Sequence, residues 1–129
     1  MANTHSIKGL HLRYRLWIAE LNFDINVLHI FEDYLIELSA KDNIPEIKKG
    51  IAEFVNKFIK HRNEIDELRH EMHLIKMKLA AHARLMKMYT HANYKSDNHQ
   101  LLKKRYTAFK KTFAETKKAF SAFEDKWLN

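Results

Sequence analysis

Cysteine is absent from this 129-residue chain, which removes disulfide staples, thiolate metal ligands and cysteine nucleophiles together. Proline occurs once, at Pro45, and glycine twice, at Gly9 and Gly50, too far apart to build a glycine-rich phosphate loop. From Ile51 to Asn129 neither breaker appears, and the run is dense in Ala, Leu, Lys, Glu, Met and Phe, so helix is its default backbone state. No stretch approaches the roughly 18 consecutive apolar residues that span a bilayer. The opening MANTHSIKGL holds no basic-then-apolar leader and no glycine at position two for myristoylation. The expectation is a cytoplasmic protein without a membrane span.

What is present is a globular composition: 46% hydrophobic, 12% aromatic and 30% charged residues. That is enough for one apolar core over residues 1–129 with a heavily solvated exterior. The periodicity predicts an all-α antiparallel bundle of three long helices, at about 5–40, 44–94 and 98–128. Thr4 or Ser6 can cap the first helix, whose apolar stripe is Leu10, Tyr14, Trp17, Leu21, Ile25, Leu28 and Leu35. Turn-forming Ser39 to Asn43 ends it. Asn43 is then the expected cap of the second helix, with Pro45 and Glu46 in its first turn.

The later core stripe of the second helix is Ile65, Leu68, Met72, Ile75, Leu79 and Met86. Earlier in the same helix, Ile47, Ile51, Phe54, Val55, Phe58 and Ile59 spread around more than half of the circumference, too wide for one neighbouring helix to cover. A straight helix then needs a second copy of the chain over Phe54, Val55, Phe58 and Ile59, and predicts a homodimer. A break near Lys60 to Asn63 would instead make a four-helix bundle, but no breaker stands there, whereas Lys95 to His99 reads as a true turn. The third helix carries the cleanest heptad: Leu102, Tyr106, Phe109, Phe113, Thr116, Phe120, Phe123 and Trp127.

The formal net charge is +7, and it is uneven. Residues 1–45 hold four Lys or Arg against six Asp or Glu, while the segment from Ser96 onward holds eight against four. Lysine doublets recur every seven residues in the third helix, at Lys103-Lys104, Lys110-Lys111 and Lys117-Lys118. Facing outward, they suit a nucleic-acid or other polyanionic partner. The aromatics lie on the core seam instead of alternating with them, so base stacking has no platform.

Nine histidines supply the remaining chemistry. His29-Ile-Phe-Glu32 and His61-Arg-Asn-Glu64 each put an imidazole and a carboxylate one turn apart, and Glu67-Leu-Arg-His70 has the reverse order. Di-iron bundles need two E-x-x-H pairs, and only one is present. If the first two helices fold back about Asn43, Asp24 comes level with His61 and Glu32 with Glu53, which makes Asp24 and His61 a buried pair. Asp24, His29, Glu32, His61 and Glu64 are accordingly the candidate ligands for Fe, Mn or Zn, with His29 and Glu32 about 10 Å along the axis from His61 and Glu64. His70 and His73 lie on the exposed side of the second helix, and His82 on its core stripe.

No serine sits in a strained strand-to-helix turn, and His70-Glu-Met-His73 is one residue short of a zinc-protease motif. The expected function is therefore a non-enzymatic interaction module that self-associates and binds a protein or polyanionic partner. A carboxylate-histidine metalloprotein and a nucleic-acid binder are the alternatives.

Overall fold

A computed structural model describes residues 4–41, 43–85, 93–95 and 97–127. Three helices account for nearly all of it: α1 (Ile7–Lys41), α2 (Pro45–Leu85) and α3 (Asp97–Trp127). At 1.5 Å per residue they are about 52, 61 and 46 Å long. Two three-residue strands, β1 (Thr4–Ser6) and β2 (Asn93–Lys95), pair antiparallel, with Thr4 opposite Lys95 and Ser6 opposite Asn93. That ladder is too short to leave a period-two pattern in the sequence.

Local chemistry sets the helix starts. Ser6 Oγ accepts a hydrogen bond from Gly9 N at 3.0 Å, which makes Ser6 the N-cap of α1. The second start differs from expectation: the Ile44 carbonyl accepts from Lys48 N at 3.1 Å, so Ile44, not Asn43, is the cap residue. Pro45 then holds the first helical position, where its missing N–H costs nothing. Helix α2 runs unbroken through residues 60–63. Its expected reach to Tyr94 is not met, since Tyr94 belongs to β2; Met86 lies outside the described residues.

Cross-helix contacts fix the directions. Glu32 meets Arg62 and Asn22 meets Arg69, so α1 and α2 are antiparallel. Tyr14 meets His99, Glu20 meets Tyr106 and Phe31 meets Phe120, so α3 runs parallel to α1. The core is the seam these rods share. Leu10, Tyr14, Leu21, Leu28 and Leu35 of α1, Ile65, Leu68, Met72 and Leu79 of α2, and the α3 heptad from Leu102 to Phe123 are all buried, and Trp127 is half-buried.

The broad apolar arc of α2 is covered from within the chain. Phe54 and Phe58 are buried among Phe31, Phe120 and Phe123, with ring centroids 5.3 to 5.8 Å apart. The bulky aromatic end of α3 fills the space that a Leu-sized seam would leave open. Gly50 permits that approach, because a Cβ there would come 2.5 Å from the Phe123 ring. Only Val55 and Ile59 of the four residues expected at a dimer contact remain exposed, at 40% and 44%.

Candidate functional site

The two buried polar groups of the α1 and α2 stripes are each satisfied by α3. Asp24, 1% exposed, accepts a hydrogen bond from Lys110 Nζ at 2.7 Å. His61, 7% exposed, shares a 2.7 Å hydrogen bond with Thr116 Oγ1 and lies edge-on to Phe109 and Phe113. Burial, with Lys57 nearby, lowers the His61 pKa below its usual 6.5, so the imidazole is neutral near pH 7.

The expected Asp24–His61 pair therefore does not form. The reason is register. With Asn22 opposite Arg69 and Glu32 opposite Arg62, Asp24 stands level with α2 residues six or more positions beyond His61, a displacement of about 9 Å. Glu32 likewise meets Arg62 in place of the Glu53 level, because the crossing between α1 and α2 falls inside the first turns of α2 and not at Asn43.

At the other end of the α1–α3 seam a second polar group of contacts forms. Tyr14 Oη and His99 Nδ1 are 2.8 Å apart, both residues being buried. The Trp17 ring stacks on His99 and on Tyr106, with centroids 5.8 and 4.8 Å apart. Tyr106 Oη donates to Glu20 Oε2 at 2.7 Å, and Lys110 Nζ lies 3.4 Å from the same carboxylate. The Tyr106 hydrogen bond lowers the Glu20 pKa most, burial opposes it, and Lys110 adds to the lowering. Burial and the bond to Glu20 push the Tyr106 phenol far above its ordinary range. A phenol so disposed stays protonated and serves as a fixed hydrogen-bond donor.

The candidate metal ligands are dispersed among these contacts. Asp24 is held by Lys110 and Glu32 by Arg62. His29 is exposed and 3.7 Å from Glu32, His61 is bonded to Thr116, and Glu64 is half-buried elsewhere on α2. Among the described residues no three His, Asp or Glu side chains converge where they could hold a metal ion. His70 and His73 are exposed, as expected, while His82 is half-buried.

The lysine doublets divide similarly. Lys103, Lys104, Lys111 and Lys118 are exposed, Lys117 lies over the Phe113 ring at 5.1 Å, and Lys110 turns inward to Glu20 and Asp24. Lys110 departs from the outward row because the only carboxylate buried in the α1 stripe lies within its reach.

The surface feature that periodicity left unread is on α1. Leu12, Leu16, Phe23 and Ile30 are 54%, 57%, 64% and 66% exposed. At 100° per residue they stand on the side of the helix opposite Leu21 and Leu28. No described helix is long and apolar enough to cross a membrane. Comparison with protein-family models, with curated proteins and with solved structures found no match for the chain.

Proposed function

We propose that the protein is a non-enzymatic helical interaction module that self-associates and presents its remaining surface to a protein or polyanionic partner. The observation carrying this reading is the row of large apolar side chains on the outer face of α1, exposed although three helices already supply a filled core. Self-contact through that face replaces the Phe54 and Phe58 contact suggested by periodicity. The candidate acid-base and ligand groups support the non-catalytic side of the reading, since Asp24, Glu32 and His61 are each engaged by a neighbouring helix. A cytoplasmic setting suits a cysteine-free chain.

Size-exclusion chromatography with light scattering tests the reading. A dimer at micromolar concentration that becomes monomeric on Phe23→Glu is the expected result. A wild-type monomer throughout that range removes the self-association reading.

The exposed lysine row favours polyanion binding as a second reading. Lys103, Lys104, Lys111 and Lys118 occupy the side of α3 opposite its buried seam, along about 22 Å of helix.

A further inference from the structure

We infer that the outer face of α1 pairs with the same face of a second copy in antiparallel orientation, about a two-fold axis at Phe23. This inference rests on the self-association reading and adds to it a partner face, a direction and a register.

Spacing supplies the first argument. The outer face presents the exposed Leu12, Leu16, Ala19, Phe23, Ile30 and Tyr34 together with Val27, which is half-buried against the core, and all seven fall within an arc of about 80°. Phe23 lies at the centre of the row, and the intervals on its two sides mirror one another. Turning a second α1 end for end therefore sets Leu12 against Tyr34, Leu16 against Ile30, and Ala19 against Val27, while Phe23 meets its own copy. An isologous contact requires this self-complementarity, and a foreign partner does not. Ala19 beside Phe23 leaves room for the facing ring. The buried stripe on the opposite side of α1 stays committed to α2 and α3.

Charge supplies the second argument, independently. Lys8 and Arg15 flank the row near its start, and Asp33 and Glu37 flank the same edge near its end. All four are exposed, and no ion pair within the described residues engages any of them. A two-fold axis across an antiparallel helix pair brings like edges together, so Arg15 of one copy comes beside Asp33 of the other, and Lys8 beside Glu37. A parallel pair would instead leave Arg15 and Asp33 about 27 Å apart along the axis and align the two helix dipoles unfavourably. The contact runs over about 33 Å of helix, which fits a dimer of modest affinity.

The absence of cysteine makes the test direct, because thiol chemistry reports only on residues that are introduced. Leu12 and Phe23 are exposed, whereas Tyr34 is 37% exposed and packs edge-on against Phe120, so the thermal midpoint of Tyr34→Cys is compared with the wild type before it is used. Each full-length variant is treated with a short bismaleimide and run on a denaturing gel, alongside light scattering of the same samples. Phe23→Cys is expected to cross-link to itself. Leu12→Cys is expected to cross-link when mixed with Tyr34→Cys but not alone, since its two copies lie about 33 Å apart. Self-cross-linking of Leu12→Cys overturns the antiparallel register and leaves self-association standing. A dimer in solution with no Phe23→Cys cross-link overturns the choice of face, again without touching self-association, whereas a wild-type monomer by scattering removes both.

Charge exchange gives a second readout. Arg15→Glu is expected to weaken the dimer by about three- to tenfold, and Arg15→Glu with Asp33→Lys to restore it. Failure of the second change to restore the dimer argues against the antiparallel edge.

Discussion

His61 and Thr116 meet beside Phe109 and Phe113, and among the described residues no ion pair engages His61. Its folded-state pKa lies below the unfolded value of 6.5, so the unfolded chain binds the proton more readily. The stability that the neutral ring contributes is complete above about pH 6.5 and is lost as pH falls through the depressed folded-state value. Urea midpoints of the wild type and of His61→Gln, compared at about pH 7.5 and pH 5.5, check this. The wild type is expected to lose more on acidification than the variant; equal losses would exclude His61 as the titrating group. Asp24 is satisfied differently, its buried carboxylate accepting a hydrogen bond from Lys110 Nζ at 2.7 Å.

At the scale of the elements, Gly50 decides how closely α2 and α3 approach. Gly to Ala inside a helix ordinarily stabilises by about 0.5–1 kcal/mol. Here the added methyl meets the Phe123 ring, and overpacking of that kind costs about 1–3 kcal/mol. Gly50→Ala is therefore expected to lower the thermal midpoint, while Gly50→Ala with Phe123→Leu recovers part of the helix gain. A higher midpoint for the single variant would show that the ring moves aside freely.

The helices themselves were legible because their signals are local. The α3 heptad from Leu102 to Trp127 needs only spacing to be read, and its members are buried or half-buried in the structure. Which side chain meets which was not legible in the same way. The Asp24 level depends on where α1 and α2 cross, and a shift of six residues moved its partner from His61 to Lys110 on a third helix. Thr116 was readable as a seam position but not as the group that satisfies His61. The outer row of α1 did leave a trace, in the spacing of Leu12, Leu16, Phe23 and Ile30, but the stronger stripe around Leu21 and Leu28 masked it.

Across the whole molecule, the positive excess behind the net charge of +7 comes from residues 46–129, and Lys103, Lys104, Lys111 and Lys118 are exposed along α3. Retention on heparin or duplex DNA is expected to fall steeply with salt. Replacing Lys103, Lys104, Lys111 and Lys118 by Gln should reduce the slope of log affinity against log salt by about three to four. An unchanged slope would assign the affinity to another surface. Lys110 is a poor choice for the same experiment, because its loss also strips Asp24 of its partner.

The dependence of Asp24 and His61 on α3 has one more consequence. Neither α1 with α2, nor either of them with α3, is a finished unit: the first pair loses the α3 partners of Asp24 and His61 and opens the apolar seam around them to water, and every other pair breaks up the ring layer formed by Phe31, Phe58 and Phe120. The contacts that complete the set join positions such as Tyr14 and His99 or Phe31 and Phe120, which are remote along the chain. Loop-closure entropy must be spent before those contacts return anything. Melting of this protein is accordingly expected to be all-or-none, with calorimetric and van't Hoff enthalpies equal, and a chain cut back to any two rods is expected to show no cooperative transition.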